Sequence, residues 1–295
     1  MLNPDVSVII PTDHSRRDIL ASDDELAYVG ATTVANPQET RGELLVEQRG
    51  AALWVTLNRP SALNALDLEM VHGIGVALDL AETSPDIRAL IITGSERAFC
   101  AGADLRLLDR AGPGLATFLH SVGDLFCRIE SAPLPVIAAV NGLAVAGGLE
   151  LVLCCDLIFA AETARFGDGH ANYGLLPGGG ASVRLPRRVG VSLAKELLFT
   201  GELVPAQSLA SSLVNKVVPD EQLVAEVDRV VEAIATKSPL GLRRMKQLVN
   251  DCLEQPTSTG LRLELLAGDE HALSHDMQEG LAAFAEKRKP RFVGD

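Results

Sequence analysis

Residues 134–162 read LPVIAAVNGLAVAGGLELVLCCDLIFAAE. They lie in the longest apolar region of the chain, and its punctuation decides the fold. Pro135, Asn141, Glu150 and Asp156 interrupt it, whereas a membrane-spanning helix needs about 20 predominantly apolar residues in a row. "LPVIAAV" has the length of a buried strand, "GGLELVLCC" reads as a helix opened by two glycines, and "DLIFAAE" reads as a second strand. Strand, helix and strand in so short a span predict an α/β body. Near-continuous apolar strands are what a sheet covered on both faces requires.

The same alternation extends in both directions. Upstream, "ELLVEQRGAALWVTLNRP" (43–60) holds two β-type runs flanking Arg49-Gly50, a hairpin signal. In "LDLEMVHGIGVALDLAE" (66–82), Leu66, Met70, Ile74, Leu78 and Ala81 share one helical face. "IRALIITG" (87–94) is a strand closed by Gly94, and a helix is expected near 115–130. Beyond residue 190 the pattern turns helical. "SLAKELLFTG" carries a Ser192 cap and a Gly201 stop. Leu223, Val227, Val230, Val231 and Ile234 form one stripe, and Leu242, Met245, Leu248, Val249 and Cys252 another. "MQEGLAAFAEKRKP" closes the last helix with Pro290 as breaker. Residues 1–42 mix acids, Pro, Thr and Asn without a period and read as a flexible arm. The expected organisation is an arm at 1–42, an α/β core at 43–238 and a helical C-terminal region at 239–295.

The totals narrow the function. The chain has 295 residues, 47% of them apolar, and carries a net charge of −13. That charge opposes nucleic-acid binding and anionic membrane surfaces, both of which select basic faces. Five cysteines with no CxxC pair suit a reducing compartment, and the N-terminus lacks the basic start of a secretory signal, so the expected location is cytoplasmic.

Two glycine-containing turns carry the chemistry. In "ERAFCAGADLRLL" (96–108), Gly102 permits close main-chain approach and Asp104 can cap the following helix. In "NGLAVAGGLELVLCCD" (141–156), Gly147 and Gly148 open a helix, with Glu150 three residues on and on the same side. Unpaired N–H groups at such turns and a nearby carboxylate suit a reaction that builds negative charge on a carbonyl oxygen while a proton moves. Each turn is also an ordinary strand-to-helix connection. The GxGxxG, GxxxxGK[ST] and GxSxG signatures are absent as functional motifs, since "GIG" at 73–75 lies mid-helix. "HALSH" spaces His271 and His275 at i, i+4, but without a third ligand no metal site is expected. Cys154 and Cys155 sit in an apolar helix and read as core.

Six stretches occur in an order that resembles the crotonase superfamily of enoyl-CoA hydratases and isomerases. They are "LNRPSALNAL", "ERAFCAGADL", "PVIAAVNGLAVAGGLELVLCCDLIFAAETARFG", "GLLPGGGASVRLPRRVG", "LVNKVVP" and "EGLAAFAEKRKPRF", and they cover about residues 43–292. The resemblance implies a spiral of ββα turns with a helical C-terminal region, assembled as trimers or pairs of trimers. It implies two main-chain N–H groups, those of Ala103 and Gly147, that hold a thioester oxygen. It places CoA along Ser61, Ala62 and Leu63 and along Ala101, Gly102, Ala103, Asp104, Leu105 and Arg106, with no permanently bound cofactor. Ser61 stands where a lysine is common in the family. Lys287, Arg288, Lys289 and Arg291 are then candidates for CoA phosphates of a neighbouring subunit; locally they also complement a helix C-terminus.

The family's first catalytic glutamate matches Glu150. The second falls four residues after the Phe of "FG", which in "ARFGDGHANYGLLPGGG" (164–180) is His170. A histidine can move protons near neutral pH or merely line the pocket; from the same loop, Asp168 is a candidate substitute for the missing carboxylate and Tyr173 a candidate hydrogen-bond donor. The implied activity is hydration of a 2-enoyl-CoA. Isomerisation, thioester hydrolysis, C–C cleavage and acyl-CoA binding without turnover also fit a chain that keeps one of the two acids.

Overall fold

The computed structural model describes residues 7–9, 43–104, 106 and 114–295. The rest of the expected arm and Leu105 lie outside the described residues. Strand β1 (Ser7–Ile9) pairs antiparallel with β2 (Leu44–Arg49), which pairs antiparallel with β3 (Ala52–Leu57). The β2–β3 turn is Gly50-Ala51, one residue later than the sequence suggests, with Gly50 at φ 54°.

From β3 onward the chain repeats one manoeuvre. Helix α1 (Leu68–Thr83) leads to β4 (Ala89–Gly94), which lies parallel to β3, and then to the short β5 (Ala98–Cys100). Helix α2 (Gly114–Ser131) leads to β6 (Val136–Val140) and β7 (Leu143–Val145). Helix α3 (Gly147–Leu153) leads to β8 (Leu157–Ala161) and β9 (Arg165–Gly167). In each turn the first strand joins one sheet and the second joins another. Among the described residues the first sheet runs β1-β2-β3-β4-β6-β8-β11 and the second β10-β9-β7-β5. Two of the edge strands are β10 (Val204–Pro205) and β11 (Lys216–Val218). This is the expected α/β spiral of ββα turns.

The local reasons are plain. Residues of β6 are all buried, as its unbroken apolar run requires. Asp67 caps α1 by accepting from Met70 N at 2.8 Å. Met70, Ile74, Leu78 and Ala81 are buried on that helix, but Leu66 precedes it and bridges instead to Ala103. The next helices are α4 (Ala181–Val189), α5 (Val191–Thr200) and α6 (Leu223–Ala235). Gly190, not Ser192, is the N-cap residue of α5, and Gly201 in the left-handed region ends it. Leu223, Val227 and Val231 of α6 are buried as the stripe predicts.

The C-terminal helices are α7 (Pro239–Cys252), α8 (Thr257–His271) and α9 (His275–Glu286). The stripe on α7 is not core: Met245 and Val249 are exposed. Helix α9 stops at Lys287, which turns left-handed at φ 56°, before Pro290 is reached. No helix among the described residues is long and apolar enough to cross a membrane. All five cysteines are free thiols, with Cys100, Cys154 and Cys155 buried.

One contact seats α3 on the second sheet. A Cβ at Gly148 would lie 2.0 Å from the carbonyl oxygen of Cys100 in β5. The intruded atom is main chain and cannot swing away. Gly148→Ala is therefore expected to destabilise the protein by about 3 kcal/mol or more, at the upper end of overpacking costs. Chemical denaturation compared with the wild type measures this.

Candidate active site

The site is built from four loops and the start of two helices. The first loop, 58–67, is fixed by Arg59 and Asn64. Asn64 is buried and left-handed at φ 58°. Its side chain donates to the carbonyls of Ser95 (3.0 Å) and Ala98 (2.7 Å) and accepts from Arg59 N (2.9 Å). Arg59, whose side chain is 14% exposed, reaches Asp67 at 2.9 Å, Asp104 at 3.1 Å, Glu43 at 3.2 Å and the Ala65 carbonyl at 2.7 Å.

Main-chain bonds clip this loop to the second one. Ala101 N donates to Leu63 O, Leu66 N to Gly102 O and Asp104 N to Leu66 O, at 3.0, 2.7 and 2.9 Å. Ser61, Ala62 and Leu63 thus stand in a loop beside Ala101–Asp104. Asp104 accepts from the main chain and guanidinium of the exposed Arg106. That hydrogen bond from Arg106, helped by Arg59, holds the Asp104 carboxyl below the ordinary range.

The third loop brings up Gly147. Ala146 before it adopts φ 50°, ψ −119°, a strained conformation for a residue with a Cβ. Gly102 at φ 98° packs so tightly against this turn that a Cβ there would lie 3.0 Å from Ala146 Cβ and 3.2 Å from Gly147 N. A Cβ on Gly147 would likewise lie 3.5 Å from Ala103 N. The N–H groups of Ala103 and Gly147 are therefore neighbours. Among the described residues neither donates to a main-chain acceptor.

Glu150, one turn into α3, is 3% exposed. Its Oε1 accepts from Gly179 N (2.8 Å) and Ala181 N (2.9 Å), at the start of α4. This explains the glycine at 179, where a Cβ would lie 2.8 Å from Glu150 Oε2 and 2.7 Å from the Phe126 ring. Burial pushes the Glu150 carboxyl up, and the Ala181 N–H, the His170 ring and the Gly179 N–H only partly offset it.

His170 opens a short 3-10 turn after β9 (His170–Tyr173), and its side chain is 13% exposed. Its Nδ1 lies 3.0 Å from Oδ1 of Asp168, which is 1% exposed. Burial of the ring favours the neutral form, but the hydrogen bond and charge of Asp168, with the charge of Glu150, outweigh it and raise the His170 pKa.

Ala103, Gly147, Glu150 and His170 line one cavity of about 840 Å³. Its other walls are largely apolar, including Phe118, Leu119 and Val122 of α2 and Leu143, Leu175 and Leu203. Tyr173 is also in the wall but is mostly exposed. Asp168 is not in the wall; it stands behind His170 as its partner and not as a substitute acid facing the cavity.

Other sequence candidates fall elsewhere. His271 ends α8 with Nδ1 3.0 Å from Arg244, and His275 begins α9, so the two do not share a helix. His275 lies near Asp276 and Asp295, but Asp276 is taken up by Ser238 Oγ, Val293 N and Gly294 N. Arg288 is engaged by Glu279 and Glu286 in closing the C-terminal tail. Arg59 and Asn64 were not singled out from the sequence; polar residues inside "LNRPSALNAL" were the available signal.

Known proteins resemble the chain over most of its length. The family model described as enoyl-CoA hydratase/isomerase matches residues 47–295. The chain is 38% identical over 250 residues to a crotonyl-CoA hydratase of Syntrophomonas wolfei, covering 84% of this chain and 95% of that one. It superposes on an enoyl-CoA hydratase of Bacillus anthracis with a TM-score of 0.81 at 35% identity, covering 86% of this chain and 100% of that one. An enoyl-CoA hydratase subunit of Geobacillus kaustophilus gives 0.81 at 38% identity, with 86% and 98% covered.

Arg59 supplies the test of the loop architecture. Removing it leaves the carboxylates of Asp67, Asp104 and Glu43 without their shared cation. Arg59→Met is expected to cost about 3 kcal/mol at neutral pH, the scale for breaking a partly buried ion pair from one side. Urea unfolding at neutral pH against the wild type checks it.

Proposed function

The chain belongs to the enoyl-CoA hydratase/isomerase family, and from that premise we propose that it adds water to a 2-enoyl-CoA. The carrying observation is that a carboxylate, an imidazole and two main-chain N–H groups, which donate to no main-chain acceptor among the described residues, meet on one cavity. The thioester oxygen sits on the N–H groups of Ala103 and Gly147, which stabilise the enolate oxygen as negative charge builds there. The CoA moiety runs along Ser61–Leu63 and Ala101–Arg106. Because Oε1 of Glu150 is held by two N–H donors, Oε2 is the atom that takes a proton from water. That hydroxyl adds to the β-carbon, and His170 supplies the proton to the α-carbon. Proton transfers of this kind contribute about 10²–10⁴-fold.

The cavity walls favour an apolar acyl chain, since no Lys or Arg is among the described residues that line it. Leu265, Leu266, Leu273 and Phe284 are exposed on and between α8 and α9, which supports assembly with further copies of this chain as a trimer or pair of trimers. Free thiols and the acidic surface suit a cytoplasmic enzyme.

The direct test mixes the protein with crotonyl-CoA and follows the enoyl-thioester absorbance. Loss of absorbance supports hydration; tight binding without loss would make the chain an acyl-CoA binder instead.

Two outcomes follow from the roles assigned. Glu150→Gln keeps the shape and the acceptor for Gly179 and Ala181 but loses the base, so turnover should fall by about 10²–10⁴-fold while CoA-thioester binding, read by calorimetry, persists. Normal turnover at saturation would remove Glu150 from the chemistry.

The pH–rate profile should be a bell. Glu150 must be ionised, and its pKa is raised, so the acid limb lies above the ordinary Glu value of about 4.3. His170 must be protonated, and its pKa is raised, so the alkaline limb lies above about 6.5. In His170→Ala the alkaline limb should vanish and the plateau rate should drop. An unchanged profile would make His170 a passive lining residue.

A further inference from the structure

The Asp168–His170 pair has a geometry that a lining residue does not need. Asp168 follows β9, and Gly169, left-handed at φ 70°, turns the chain so that residue 170 folds back over residue 168. Both carboxylate oxygens then face His170: Oδ1 lies 3.0 Å from ring Nδ1 and Oδ2 accepts from His170 N at 3.3 Å. A carboxylate 1% exposed is costly unless hydrogen-bonded or paired, and every hydrogen bond shown for this one is to His170.

We propose that Asp168 is a positioning residue, which fixes the His170 ring with Nδ1–H toward itself so that Nε2 is the nitrogen presented to the cavity. An ionised carboxylate accepts only, so Nδ1 must carry a proton in either charge state of the ring. The proton that the ring exchanges with substrate is then confined to Nε2. The second bond, to the main-chain N–H, ties the carboxylate to the same residue, so ring and partner move as one unit. This deepens the hydratase reading and rests on it for the identity of the substrate carbon, though not for the state of the ring. The arrangement differs from a pair of carboxylic acids: the group that delivers the proton is an imidazolium held between two acids, Asp168 behind it and Glu150 across the cavity. Those are the ionisable groups that act on the ring's charge. On α5, the helix packed on this turn, Lys195 and Glu196 are exposed, and so is Tyr173.

Asp168→Asn tests the proposal. The amide offers a donor as well as an acceptor, so it no longer dictates which ring nitrogen is protonated. With crotonyl-CoA, kcat should fall by about 10²-fold, the lower scale of a lost acid–base group, with KM little changed and the alkaline limb moved to lower pH. In a His170→Ala background the same change should add less than about twofold, because sites that act only through a common partner are not additive. A loss in that background as large as in the wild type would overturn the proposal. Nitrogen-15 NMR of the ring gives a readout independent of turnover. The full-length wild-type protein should show His170 with a protonated Nδ1, and Asp168→Asn should mix the tautomers and lower the ring's titration midpoint. If the variant keeps the wild-type tautomer and midpoint, Asp168 does not position the ring. If wild-type protein hydrates no enoyl-CoA yet the NMR changes occur as stated, the positioning role stands and the hydratase reading is what fails.

Discussion

The site depends on how closely helix α3 can start against the loop that follows β5. Gly148 has no room for a Cβ over Cys100, and Gly102 has none against Ala146. Ala146 accepts a conformation that residues with a Cβ avoid. These tolerances bring Gly147 N beside Ala103 N. They also fix the direction of α3, and one turn later that direction delivers Glu150 to the start of α4. A bulkier start to α3 would move both donors and the carboxylate together.

The two ends of this arrangement are held by different forces. Ala103 is held from outside, by the polar knot of Arg59, Asn64, Asp67 and Asp104 that ties residues 58–67 to 101–104. Glu150 is held from inside, by N–H groups of the next helix. A helix N-terminus favours an anion, so the fold supports the ionised carboxylate without neutralising it. A direct cation would have done so more completely and left a weaker base.

Much of this was legible in the sequence, and what was not has physical reasons. The buried strands β4, β6 and β8 are unbroken apolar runs, and α1 and α6 carry clear helical stripes. The second sheet escaped because its strands are two or three residues long, too short to show a period. The α7 stripe has helical periodicity, yet Met245 and Val249 are exposed; periodicity reports an apolar face, not what covers it. In the site, the glycine turns at Gly102 and at Gly147-Gly148 drew attention to the two loops and to Glu150, and the family resemblance named Ala103 and Gly147 as the donors. Asp168 was legible as a polar residue near the cavity, but its pairing with His170 was not, because the left-handed turn at Gly169 decides it. Arg59 and Asn64 act through carbonyls and carboxylates distant in sequence, which no local pattern encodes.

The electrostatics set the site against the stability of the fold. Glu150 has a raised folded pKa. A group of that kind stabilises the fold below its unfolded pKa, and the contribution is lost as pH rises through the folded value. At neutral pH, then, the buried ionised carboxylate is a net cost, which the Gly179 and Ala181 N–H groups reduce. His170, also raised, contributes stability that is fully present below about 6.5 and lost as pH rises through its higher folded value. Its imidazolium offsets part of the charge of both Glu150 and Asp168. The pH range in which Glu150 is ionised and His170 protonated is therefore the range in which the two charges compensate each other. The chemistry needs an ionised Glu150 that burial disfavours, and the imidazolium of His170 reduces that cost without removing it, whereas a carboxylate at position 170 would face Asp168 and Glu150 without this compensation.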